Sequence, residues 1–155
     1  MKDKQDAPPE EFRFGREVQN VANRFRRLGD ENLQKEGITI SQLRVIAYLS
    51  RHCDSIVHQK DLEEHFAIRR SSVTGLLQNM EKSGLLERRG SDTDARVKIV
   101  TLTEKGKTLD EKLKSYIHGL EEDMMQGFRD EEKELLRGFL QRMLENLESV
   151  ERSRL

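Results

Sequence analysis

The sequence predicts a mainly α protein with one small β-hairpin, in the order helix, helix, helix–turn–helix, two-stranded hairpin, two long helices. Three observations predict it. Apolar residues recur at helical spacing along most of the 155 residues. The period changes once, where "LLERRG" and "VKIVTLT" take alternating or β-branched character around the turn-forming "SDTDA". Composition agrees, with 37% charged residues, 5% aromatics, no Trp and two Pro.

The elements follow in order. Residues through Pro9 are polar and predict a loose start. Phe14, Val18, Val21, Phe25 and Leu28 alternate spacings of four and three, an amphipathic helix running toward Leu33. Thr39 and Gln42 fit a capping box opening a second helix with Leu43, Ile46, Ala47 and Leu49 inward. "CDSIV" breaks it, and "HQKDLEEHFAI" reads as a short helix with Leu62 and Phe66 inward. In "RRSSVTGLLQNMEKSGLLERR", Val73, Leu76, Leu77 and Met80 form the stripe of a fourth helix. It closes at Gly84 in the left-handed C′ position, with Leu85 folding back. After the hairpin, Thr103 can cap a helix from about Glu104 to Gln126, and a last helix starts near Asp130. A winged helix–turn–helix flanked by helical arms accounts for every element. The domain expectation is one unit over 1–155, with 39–103 as the winged region and 10–36 and 104–151 as dimerisation helices.

Bulk numbers bound the function. Hydrophobic residues are only 34% of the chain, so several amphipathic segments are expected to bury their stripes against a second copy. From Phe66 to Lys98 seven basic residues stand against four acidic ones, and from Gly119 to Glu151 four against ten. A basic middle and an acidic tail suit one polyanion-facing surface. Cys53 stands alone, which excludes an internal disulfide and suggests a reducing compartment. "MKDKQDAPPEEF" lacks an apolar leader core, and no apolar run approaches membrane-spanning length. A cytoplasmic protein is expected.

The fourth helix carries the functional argument. Opposite its stripe stand Ser71, Ser72, Thr74, Gly75 and Gln78, short and uncharged in a chain that uses Glu, Lys and Arg freely elsewhere. A helix enters the major groove only if its side chains leave room for base edges. Ser, Thr and Gln hydrogen-bond to those edges, and Thr offers a methyl to thymine. Gly75 allows close approach at a position where glycine costs about 1 kcal/mol relative to alanine. Arg69 and Arg70 flank the helix entry. The bland alternative makes Ser71 and Ser72 mere caps and packs Gly75 against a neighbouring helix. In the hairpin, Arg88 and Arg89 lead out, and Arg96 and Lys98 lie on the return. Arginine suits a narrow minor groove, and Asp94 can clamp the Arg96 guanidinium. Here the bland alternative is a plain solvated hairpin.

These residues resemble the core of the multiple-antibiotic-resistance regulator (MarR) family. The family pattern L-E-x-x-G-L-[IV]-x-R, an Asp-rich turn ending in D-x-R, and L-T-x-x-G correspond to Met80-Glu81, Gly84-Leu85-Leu86, Arg88, Asp92, Asp94, Arg96, Leu102-Thr103 and Gly106. The resemblance implies a homodimer of triangular outline whose terminal helices form the interface and whose two winged heads bind a pseudo-palindromic operator. Three departures stand out. Met80 replaces Leu, a volume-tolerant change. Thr93 stands where a basic residue is common at the wing tip. Arg129 occupies a place often held by Ser or Thr, leaving Asp130 to cap the last helix.

Other constellations carry less. His52, Cys53, His58 and His65 cluster in sequence without zinc-site spacing, and the family's known zinc sensors use other positions. Relatives that sense peroxides keep the reactive cysteine in the first helix, where this chain has none, so Cys53 reads as an ordinary helix-end residue. No strained turn or Gly-rich loop supports catalysis. Phe12, Phe14 and Phe25, with Tyr116, Met124 and Phe128, suit either an effector pocket for a small aromatic or amphipathic ligand or, more simply, interface core.

The expected function is a dimeric, sequence-specific DNA-binding transcriptional regulator, a repressor by preference, with no enzymatic activity and no cofactor. Ser71, Ser72, Thr74 and Gln78 would read bases. Gln59, Arg69, Arg70, Arg88 and Lys98 would contact the DNA backbone, and Arg96, held by Asp94, the minor groove. The alternative from another class is a winged-helix protein-interaction module.

Overall fold

The computed structural model describes residues 13–90 and 97–154. Its elements are α1 (Phe14–Lys35), α2 (Ile40–Arg51), α3 (Gln59–Phe66), α4 (Arg70–Lys82), β1 (Leu86–Gly90), β2 (Lys98–Leu102), α5 (Glu104–Met124) and α6 (Asp130–Arg152). The chain divides into two compact units, Met1–Lys114 and Ser115–Leu155, so α5 is shared between them.

The core of the first unit forms where α2, α3, α4 and the hairpin meet. Ile46, Leu62, Leu77, Met80, Leu86 and Val100 are fully buried there. On α4 the buried residues are Val73, Leu77 and Met80, one helical face, and Leu76 packs half-buried beside them. Met80 fills a Leu position without loss of burial.

Local chemistry explains where the helices begin and end. Thr39 makes the full capping box, its Oγ1 accepting from the Gln42 N–H while Gln42 Oε1 accepts from the Thr39 N–H at 2.8 Å. At the end of α4, Gly84 lies at φ +72°. The Leu85 N–H donates to Met80 O and the Gly84 N–H to Glu81 O, both at 2.9 Å, which is the Schellman closure expected there. Between α3 and α4 the left-handed position falls on Ala67, at φ +51°, a tight turn set without glycine. At α6 the expectation fails. Arg129, not Asp130, is the N-cap residue, and the Glu132 carboxylate accepts from its N–H at 2.9 Å. Asp130 is already inside the first turn, where it pairs with Lys133.

β1 and β2 pair antiparallel, with Leu86 opposite Leu102 and Gly90 opposite Lys98. The segment entering α3 docks on this hairpin: His58 bridges Ile99, and the Val100 N–H donates to Val57 O at 2.9 Å. α5 is fixed to the same unit by its N-terminal half, where the buried Asp110 accepts from Ser50 Oγ on α2 and from Lys114 Nζ. Among the described residues no helix is long and apolar enough to cross a membrane.

The second unit is spare. The end of α5 turns through Gly127, at φ +84°, into α6. No residue of α6 is buried. Leu135, Phe139, Leu140, Met143, Leu144 and Leu147 are all exposed, a stripe at helical spacing without cover. In the first unit α1 behaves alike: only Leu33 is buried, while Phe14, Val18 and Val21 are exposed.

Candidate nucleic-acid interface

Burying Val73, Leu77 and Met80 turns the opposite side of α4 outward. Ser71, Ser72 and Gln78 are exposed, and Thr74 and Gly75 are half-buried beside them. Neither serine caps the helix. Arg69 is the N-cap residue, and its carbonyl accepts from the Ser72 N–H at 2.9 Å. A Cβ built on Gly75 would meet nothing within 4 Å. Both bland readings of this face therefore lose their footing: the serines have no capping duty and the glycine packs against no helix. What remains is an outward track of small polar groups.

Cations border the track. Arg69 and Arg70 are exposed at its entry, and Lys98 is exposed where β2 begins. A shallow cleft between α3, α4 and the hairpin is lined by Gln59, Lys60, Arg70, Val97 and Lys98, with Asp61 and Glu63 on the α3 side. The two acids are engaged within α3. Asp61 accepts from the His58 N–H at 2.7 Å, and Glu63 accepts from Gln59 Nε2 at 3.0 Å. The cleft thus holds three cations against two carboxylates, with Lys60 also paired to Glu64 at 3.2 Å.

Two of the residues expected at the DNA backbone are held by protein partners in this structure. Arg88 folds back along the hairpin onto the end of α4, where its Nη2 meets Glu81 Oε2 at 2.7 Å and its Nε the same oxygen at 3.1 Å. Its own N–H donates to Glu81 Oε1 at 3.1 Å. The guanidinium beside Glu81 holds that carboxyl below its ordinary value. Arg88 is a staple between α4 and β1, its charge neutralised in place. Gln59 is held as well: its side-chain amide donates to Glu63 Oε1 and, at 2.9 Å, to Thr74 Oγ1. A phosphate only accepts, so Gln59 has no side-chain hydrogen left for one. Asp94 and Arg96 lie outside the described residues, as do Asp92, Thr93 and Phe12.

Residues that sequence reasoning passed over hold the surface in place. Glu81 is the acceptor for Arg88, and Glu63 anchors Gln59. Lys105 Nζ caps α4 through Ser83 O at 2.7 Å. Glu81 was visible as a motif letter, but its partner seven residues on lies across a turn that spacing alone does not close. The histidines do not converge. His52 stacks on Tyr48 with centroids 4.2 Å apart, and His65 lies against the same ring. No group of three potential metal ligands forms among the described residues. Cys53 is exposed.

A family model described as MarR family matches residues 36–97, from just after α1 to the residue before β2. Over 115 residues the chain is 32% identical to the uncharacterized HTH-type transcriptional regulator YdgJ of Bacillus subtilis, covering 74% of this chain and 69% of that one. Over 119 residues it is 34% identical to the HTH-type transcriptional regulator BilQ of Clostridium symbiosum, covering 72% and 76%.

The chain belongs to the MarR family.

It is a DNA-binding transcriptional regulator and not an enzyme. Its fold agrees with solved MarR-family structures. The structure of MepR, a transcription regulator of the Staphylococcus aureus multidrug efflux pump MepA, is 25% identical with a TM-score of 0.79, covering 88% of this chain and 99% of MepR. MepR in complex with DNA is 26% identical at a TM-score of 0.66, with the same coverage. The MarR signature also gains a physical reading here. Glu81 and Arg88 staple helix to strand, Gly84 closes α4, and Thr103 binds Gly84 O through its hydroxyl at 2.6 Å while accepting from the Gly106 N–H.

Proposed function

We propose that this MarR-family chain is a homodimeric, sequence-specific repressor whose α4 reads a pseudo-palindromic operator through Ser71, Ser72, Thr74 and Gln78. The observation that carries it is the outward face of α4, where small polar side chains and an uncrowded Gly75 follow the exposed Arg69 and Arg70. Arg69, Arg70 and Lys98 contact phosphates on either side, and Arg96, with Asp94, is the minor-groove residue. The exposed apolar stripes of α1 and α6 support a second copy as the partner. Two heads would then address successive major-groove turns about 34–36 Å apart. The MepR–DNA complex supports duplex DNA as the ligand class.

A small aromatic or amphipathic effector would release the operator by biasing the distance between heads. A cleft between Ile38, Leu85 and Leu109, with the Glu36–Lys112 ion pair at 2.7 Å on its rim, is partly apolar and suits such a ligand. Thermal-shift screening of aromatic acids and cationic amphiphiles tests for it: a ligand that raises the melting midpoint and loosens DNA supports release. The DNA-binding reading is tested by titrating the full chain against duplex from its own promoter at several salt concentrations. Log affinity should fall linearly with log salt as phosphate counterions are released. A flat response, or no binding at low ionic strength, overturns the reading.

A further inference from the structure

Thr74 lies in the middle of the outward track, yet its hydroxyl oxygen is already in use. Gln59, at the start of α3, donates from Nε2 to Thr74 Oγ1 at 2.9 Å and to Glu63 Oε1 at 3.0 Å. The direction of this chain is forced. A carboxylate has no proton to give, so the Gln59 atom facing Glu63 is the NH2 group and not the carbonyl oxygen. The same NH2 group faces Thr74, so the threonine oxygen must accept. One of its two lone pairs is thereby taken, so the hydroxyl proton cannot point at Gln59, and among the described residues no protein group takes that proton. Glu63 thus sets Gln59, and Gln59 sets Thr74.

We propose that Glu63 and Gln59 are positioning residues that keep the Thr74 hydroxyl proton turned away from α3, free to be donated to an acceptor on DNA. The inference rests on α4 being the DNA-reading element. Acceptors on DNA are the O6 and N7 of guanine, the N7 of adenine, the O4 of thymine and the phosphate oxygens. A hydroxyl free to rotate can serve as donor or acceptor and discriminates poorly. With a Gln59 hydrogen on one lone pair, the Thr74 proton cannot be spent inward and stays available to an acceptor outside, with one lone pair beside it. Two side chains on α3, one carboxamide and one carboxylate, neither of which needs to touch DNA, would then contribute to what α4 selects.

The decisive variant exchanges the two groups, Gln59→Glu together with Glu63→Gln. Net charge and the bond between positions 59 and 63 are kept, with its direction reversed. Position 59 now only accepts, so Thr74 must donate inward and shows lone pairs to the groove. The full-length chain and the exchanged variant are each offered a pool of randomised duplexes at one salt concentration, with melting midpoints measured alongside. If Thr74 faces a base, preference at one base pair per half-site moves toward pairs presenting an amino group, by roughly tenfold. If it faces a phosphate, affinity for all sequences falls by a similar factor with preferences unchanged. Either result supports the proposal. Equal affinity and equal preferences overturn it while leaving DNA binding intact, and loss of all binding in a folded variant also overturns it. Failure of the unaltered chain to select any sequence would instead sink the reading of α4. Should the exchange prevent folding, Thr74→Ser against Thr74→Val decides: the hydroxyl-bearing variant should keep the preference or affinity that valine loses, and equal behaviour of the two refutes the role.

Discussion

Gly75 and Gly106 are both helical glycines, and they hold their places for opposite reasons. A Cβ on Gly106 would sit 2.1 Å from Leu85 O and 3.1 Å from Leu102 Cδ2, so the start of α5 passes the α4–β1 turn too closely for any side chain. Gly106→Ala should destabilise the protein by about 2–3 kcal/mol through forced backbone movement, measured by urea unfolding. Gly75 has open space where its Cβ would go. Gly75→Ala should raise stability by about 0.5–1 kcal/mol and weaken DNA binding by about tenfold. A variant that gained stability and kept its affinity would show that close approach is not why glycine is there. In the sequence the two glycines look alike, since periodicity reports which face a residue occupies and not what passes in front of it. Thr74 was legible as polar and outward. That its oxygen was taken was not, because the donor lies fifteen residues earlier on another helix.

At the level of elements, helix ends were the most legible feature and the links between elements the least. Thr39 with Gln42, and Gly84 with Leu85, close their helices through bonds that local sequence alone specifies. Arg88 shows the opposite case. Its position in a basic hairpin suggested a phosphate contact, but the strand brings it back beside Glu81, and an opposite charge at 2.7 Å outcompetes solvent. Glu81→Ala should therefore cost about 1–2 kcal/mol by leaving a mostly buried guanidinium without its acceptor. The effect carries a pH signature. Because Arg88 depresses the Glu81 carboxyl below its ordinary 4.5, this stabilisation is present above that value. It is lost as pH falls through the lower, folded-state value. The gap in unfolding free energy between wild type and Glu81→Ala should thus hold at neutral pH and close in acid. A gap independent of pH would mean that the residue acts through packing alone.

For the molecule as a whole, the apolar stripes are the informative feature. Leu135, Phe139, Leu140, Leu144 and Leu147 recur at helical spacing, yet each is exposed in the single chain. Pattern analysis identifies the side that seeks cover without saying whether the cover is intramolecular. The hydrophobic content of 34% was the clue that one chain has too little apolar surface to cover all its own stripes. Under the proposed dimer, α6, which contributes no buried residue, would take its cover from the second copy. Folding and assembly are then linked by mass action, so the unfolding midpoint should rise with protein concentration. Leu144→Asp, placed amid the α6 stripe, should give a species that sediments as one chain, melts lower and melts independently of concentration. It should also lose most of its affinity for paired half-sites while retaining weak, salt-sensitive binding to one, since each α4 surface lies in the first unit and does not include α6. A wild-type midpoint that stays fixed across a wide concentration range, together with single-chain sedimentation, would show that these stripes serve something other than a second copy.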